Sequence, residues 1–70
     1  MDEFEKRMSI LARTALGKDV DLDVRREDEP AWDSLCHLKL VIAFEGEFNV
    51  RIPVSRIETI RSLREFREFV

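Results

Sequence analysis

No stretch of this chain approaches the roughly 20 consecutive apolar residues that a membrane-spanning helix requires. Its opening, "MDEFEKRMSI", is charged and amphipathic, which does not fit a secretory leader. Cys36 is the single cysteine, so a disulfide framework is excluded and a reducing, cytoplasmic setting is expected. One histidine and one cysteine cannot build a zinc site. Neither a Gly-rich phosphate loop nor a paired nucleophile and base is visible, which argues against an enzyme. A basic stripe for nucleic acid is missing too. Residues 1–31 hold nine acids against six bases, and residues 32–70 hold six of each. Such a balance does not favour the counterion replacement on which nucleic-acid binding depends.

Seventy residues allow one domain, 1–70, with a small core and a stability of only about 3–5 kcal/mol. The arginines at 51, 56, 61, 64 and 67 read as a solvated face mixed with Glu58, Glu65 and Glu68.

Helical periodicity dominates. Phe4, Met8, Leu11 and Leu16, with Ala12 and Ala15 on the same side, predict a helix over about 3–16. Asp2 and Glu5 are placed for a capping box, and Gly17 for a left-handed stop. Residues 18–32 contain "DVDLDV", which has the period of a strand but no partner strand in the sequence. The segment is therefore expected to be a long loop that sends Val20, Leu22 and Val24 into a helical core. A second helix is predicted from Ser34 to Phe48, with a wide apolar face of Leu35, Leu38, Val41, Ile42, Phe44 and Phe48. Gly46 marks fraying or a close approach by another segment, and Pro53 is expected to end the helix by disfavouring helical geometry at Ile52.

Two Ser-x-x-Glu capping boxes follow, Ser55 to Glu58 and Ser62 to Glu65. The first opens a helix of one or two turns. The second opens a closing helix from about Leu63, with Leu63, Phe66 and Val70 on one face and Phe69 beside them. The expected fold class is all-α: a four-helix bundle of three main helices and one short one, with the long loop between helices 1 and 2.

The junction "WDSL" at 32–35 is the most informative site. A helix N-terminus carries unpaired N–H groups and about half a positive charge, so a phosphate on Ser34 would be favoured there. Leu35 is expected to anchor the turn in the core while Ser34 faces outward, with Asp33 as an acidic neighbour for a metal ion or a modifying enzyme. Equally, Asp33 or Ser34 can be an ordinary N-cap worth about 1 kcal/mol.

In order, the chain presents "DSL" at 33–35 after a helix and a long loop, then "LVIAFEGEF" at 40–48, "IP" at 52–53 and "IETIRSLREFREFV" at 57–70. This succession resembles the acyl carrier protein family over essentially all of the chain, and "WDSL" followed by His37 is similar to a subgroup of small stand-alone carriers. The resemblance implies that a phosphopantetheinyl transferase attaches phosphopantetheine from coenzyme A to Ser34 in a Mg²⁺-dependent reaction. The arm's thiol would then carry an acyl group as a thioester for the enzymes of a lipid, fatty-acid or specialised biosynthetic pathway. Aminoacyl or polyketide cargo, or an unmodified helical adaptor, are the alternatives. The resemblance also implies a monomer that tethers cargo and does no chemistry itself.

Leu38, Val41, Ile42, Ile52, Ile57, Ile60 and Leu63 are candidates to line an apolar cavity or simply to form the core. The partner-facing residues expected from the resemblance are Trp32, Cys36, His37, Lys39, Glu45 and Glu47. Within that set the chain departs from the family. Cys36 stands where Gly or Asp is common and Lys39 where Glu is common, so the usual acidic docking helix keeps only Glu45 and Glu47. Because charge complementarity sets partner choice, a specialised partner set is expected. Cys36 reads either as an exchangeable thiol or as a small buried residue. His37 reads as a partner for the phosphate or for another protein, and Trp32 as loop packing or a partner contact.

Overall fold

The computed structural model describes residues 1–70. Helix α1 spans Glu3–Leu16 and begins as its sequence predicts. The Asp2 carboxylate accepts the Glu5 N–H at 2.8 Å, and the Glu5 carboxylate accepts the Asp2 N–H at 2.9 Å. Gly17 ends the helix at φ 79°, its N–H returning to the Arg13 carbonyl. The buried stripe is Phe4, Met8, Ala12 and Leu16, spaced four residues apart, with Leu11 and Ala15 partly covered beside it.

Helix α2 spans Ser34–Phe48 and buries Cys36, His37, Leu40, Val41 and Phe44. Phe44 is the hub of the core, with ring centroids 4.8 Å from both Phe48 and Phe66; Phe48 in turn lies 5.7 Å from Phe4. Aromatic rings at these separations add attraction beyond their buried area. The helix stops earlier than Pro53 would require. Asn49 takes the left-handed conformation at φ 56° and its N–H reaches the Glu45 carbonyl. Asparagine tolerates this region better than other side chains, so it supplies the stop. At Gly46 an added Cβ would meet open space, so no segment approaches closely there.

The connection between α1 and α2 is the expected long loop, interrupted by a 3-10 turn at Arg26–Asp28. Leu22 is buried, and Val20 and Val24 pack against the core. The chain just after the alternating segment does find a partner, though only as a single bridge. Arg25 forms an isolated antiparallel bridge with Ser62, while Arg26 N–H meets the Arg61 carbonyl at 2.7 Å and Arg64 N–H meets the Leu22 carbonyl at 2.9 Å. No strand forms.

Helix α3 is a single turn, Val54–Ile57, that starts directly after Pro53. Ser55 lies inside it, so the capping box expected from Ser55 to Glu58 does not form. The segment from Leu63 to Phe69 is a 3-10 helix where an α-helix was predicted. Its sequence explains the difference. "LREFREF" repeats every three residues, and a 3-10 helix has three residues per turn, so like side chains eclipse into rows. Leu63, Phe66 and Phe69 form the row that meets the core. Arg64 and Arg67 form a second row, paired with Glu5 and Asp23 and with Asp2. Glu65 and Glu68 form a third, paired with Arg25 and Arg56. Val70, expected on the buried face, is exposed because it falls outside the apolar row. Of the Ser62–Glu65 box, the carboxylate reaches back one residue further than expected, to the Arg61 N–H at 2.9 Å, while the Ser62 hydroxyl meets its other oxygen.

The result is a small all-helical bundle in which α1, α2 and the closing 3-10 helix share one core. None of its helices is long and apolar enough to cross a membrane.

Candidate functional site at the head of α2

The approach to α2 is fixed from both sides. Upstream, the Glu29 carboxylate accepts the Ala31 N–H at 3.0 Å and holds Lys18 at 3.0 Å, while the Trp32 N–H meets the Glu29 carbonyl. These donors hold the Glu29 carboxyl below the ordinary carboxylate range, led by the Ala31 N–H. Downstream, His37 is wholly buried one turn into α2. The Trp32 indole N–H donates to His37 Nδ1 at 2.9 Å, with the two rings stacked. An indole N–H can only donate, so Nδ1 must accept and the imidazole proton sits on Nε2. That proton points to the Ile57 carbonyl, 2.7 Å away. A Glu58 carboxylate oxygen stands 3.9 Å from the same nitrogen.

Trp32 and His37 thus clamp the two ends of the Asp33-Ser34-Leu35 turn and tie it to α3, leaving the turn itself exposed. Asp33 is the N-cap; its carboxylate accepts the Cys36 N–H at 2.9 Å. Ser34 is therefore the first helical residue, and its hydroxyl is not engaged in capping. The two readings of the junction separate here: Asp33 caps and Ser34 faces solvent. Leu35 was expected to anchor the turn, but it is 62% exposed. The reason is helical spacing: Cys36, His37, Leu40, Val41 and Phe44 form the inward face, and Leu35 lies outside it.

Trp32, Cys36 and His37 were candidates for a partner surface, with loop packing for Trp32 and burial for Cys36 as the other readings. All are core side chains, closed off by the Trp32–His37 bond and by a Cys36 Sγ–H contact to the Ala15 carbonyl at 3.5 Å. Burial, helped by the Asp33 carboxylate, raises the Cys36 thiol above its ordinary pKa, which makes it a poor nucleophile. Lys39 is exposed as expected. Glu47 is exposed and paired with Arg7 at 2.8 Å. Glu45 is half-buried, its carboxylate accepting the Ile52 N–H at 2.8 Å.

That last bond pins the segment after α2 beside the helix and shapes an apolar groove of about 500 Å³. Leu38, Val41 and Ile42 form one wall, Ile52, Pro53, Val54 and Ile57 the other, and Glu45 and Arg51 the polar rim. Five of the expected lining residues are there; Ile60 and Leu63 instead fill the core. Ser34 stands one turn ahead of Leu38 on the same side of α2, so the serine heads the groove. From Ser34 to Glu45 the helix runs about 16 Å. A smaller groove between α1 and α2, about 340 Å³, is lined by Leu11, Thr14, Ala15, Lys39 and Ala43. His, Cys, Asp and Glu side chains nowhere gather in threes to hold a metal ion.

Leu35, Leu38 and Ile42, all on the wide apolar face expected of α2, are half or more exposed, and Val54 is exposed across the groove. Their signal is that α2 has apolar side chains on nearly every side, more than one buried face can take. No protein-family model matches the chain.

Proposed function

We propose that the chain is a carrier protein whose Ser34 accepts phosphopantetheine and whose arm then presents a thioester-bound acyl group to partner enzymes. In the loading step the Ser34 Oγ would attack the pyrophosphate phosphorus of coenzyme A nearest the pantetheine. An Oγ–P bond forms, the P–O bond to the nucleotide breaks, adenosine 3′,5′-bisphosphate leaves, and the hydroxyl proton passes to a base of the transferase.

One observation carries the reading: an exposed serine hydroxyl, free of capping, heads an apolar groove on the same side of the same helix. The helix N-terminus favours the phosphodiester charge by about 0.3–1 kcal/mol. The groove offers an apolar acyl chain a place out of water. The Trp32–His37 clamp keeps the turn in one geometry for a modifying enzyme to recognise. The resemblance of the whole helical succession to acyl carriers supports the same reading.

The test is intact mass after incubation with coenzyme A, Mg²⁺ and a broad-specificity phosphopantetheinyl transferase, beside Ser34→Ala. A gain of one phosphopantetheine, absent in the variant, is expected. No gain while a control carrier is modified, together with an unmodified mass for protein from its native host, would sink the reading and leave an adaptor.

A further inference from the structure

The outer side of α2 presents an apolar ridge that the fold does not cover. Leu35 is 62% exposed, Leu38 50% and Ile42 69%, at successive three- and four-residue steps. Val54, 86% exposed, faces them across the groove. Single exposed leucines are ordinary, but a continuous ridge beside an apolar groove marks an interaction surface.

The charges at this surface are uneven in a particular way. Arg51, on the groove rim, is the one arginine with no ion pair; Arg7, Arg13, Arg25, Arg26, Arg56, Arg61, Arg64 and Arg67 all have one. Lys39, exposed on the opposite flank of the ridge where it lines the smaller groove beside α1, has no ion pair either. The nearby carboxylates are engaged internally: Asp33 with Cys36 N–H, Glu45 with Ile52 N–H, and Glu47 with Arg7. The first turn of α2 contains no acid. What this face offers outward is therefore apolar side chains and two free cations.

We infer that this face docks a partner protein through an amphipathic helix whose apolar side chains are flanked by carboxylates. The shape favours a helix. Leu35, Leu38 and Ile42 form a ridge of the kind that packs against the ridges of another helix, with Val54 exposed beside it. Lys39 and Arg51 select its flanks, because opposite charge across the rim speeds encounter and like charge rejects wrong partners. The inference does not require Ser34 to be modified.

The experiment is an amide NMR titration of the ¹⁵N-labelled chain with two synthetic helical peptides. Both have the same leucine stripe at i, i+3, i+4 and i+7; one is flanked by glutamates and the other by lysines. The glutamate peptide should shift Leu35, Leu38, Lys39, Ile42, Arg51 and Val54, bind about tenfold tighter than the lysine peptide, and weaken as salt rises. The double variant Lys39→Glu, Arg51→Glu should reverse that preference. Leu38→Asp, checked by circular dichroism for an intact fold, should abolish binding.

Equal or tighter binding of the lysine peptide would overturn the inference. So would shifts on another face, or persistence of binding in Leu38→Asp. Concentration-dependent dimerisation through the same residues without peptide would overturn it in favour of a second copy of the chain. Ser34→Ala should bind as the wild type does, so this result and the mass result at Ser34 are read separately.

Discussion

The indole N–H of Trp32 donates to Nδ1 of His37 across 2.9 Å, entirely inside the protein. Three parts of the fold meet in this pair. Trp32 ends the long loop, His37 belongs to α2, and the other ring nitrogen of His37 holds the Ile57 carbonyl of α3. The exposed serine turn lies between the two clamped residues, and Ile57 lines the groove. Turn and groove are therefore positioned by the same buried imidazole.

His37→Phe puts a somewhat larger ring into a fully buried position, leaves the indole N–H without an acceptor and leaves the Ile57 carbonyl only the long Ile60 N–H contact at 3.5 Å. Each buried unsatisfied group costs about 1–3 kcal/mol, which is a large share of the stability available to a chain of this size. Urea unfolding should show the loss, and the fluorescence of the lone tryptophan should change with it. In the wild type, ¹⁵N NMR should find the imidazole proton on Nε2; a proton on Nδ1 would contradict the hydrogen-bond assignment.

Cys36 is predicted to resist alkylation. Its thiol is buried, held by the Ala15 carbonyl and raised in pKa, so little thiolate is present and access is poor. In the folded chain at neutral pH, reaction with iodoacetamide should be markedly slower than after denaturation, since burial limits access and the raised pKa lowers the thiolate fraction. Comparable rates would show that the residue is accessible.

Much of this architecture was legible because α1 obeys local rules without conflict: the Asp2–Glu5 box, the four-residue apolar stripe and Gly17 all agree. Ser34 at the head of α2 and the long loop before it were legible for the same reason. The exposure of Leu35 was not, because an apolar residue at a helix start does not reveal which of two apolar faces is inward. Trp32 and His37 were legible as residues of interest but not as a pair, since a contact across a turn depends on the packing that surrounds it. The closing helix was misread through its period. Reading Leu63, Phe66 and Val70 by a 3.6-residue rule overlooked the three-residue repeat that the sequence displays.

That repeat makes Phe66 the most sensitive residue of the closing helix. It is fully buried, and its ring centroid is 4.8 Å from that of Phe44. Truncation of a core phenylalanine costs about 3–5 kcal/mol, as much as the whole fold is expected to hold. Phe66→Ala should be unfolded at room temperature by circular dichroism, while Phe69→Ala, at the partly exposed end of the same row, should remain folded. In the wild type, Hα(i)–HN(i+2) cross-peaks over Leu63–Phe69 would identify the 3-10 geometry.

The ion pairs around that helix give stability a pH dependence with a definite sign. The Asp2 carboxyl is lowered by the Glu5 N–H and by Arg67, and the Glu5 carboxyl by Arg64 and the Asp2 N–H. Glu27 and Glu29 are lowered as well. A carboxyl whose pKa is lower folded than unfolded contributes stability that is complete above its unfolded value. That contribution is lost as pH falls through the folded value, because the unfolded chain then binds more protons. The share of stability that these carboxyls contribute should therefore be complete above the ordinary carboxylate range near 4 and decline below it. Asp2→Asn removes one capping acceptor charge and the Arg67 pair together, so its stability at pH 7 should be lower and its decline on acidification shallower. Urea midpoints for both proteins between pH 7 and pH 3 test this. Parallel curves would show that Asp2 is not among the groups that set the acid limit.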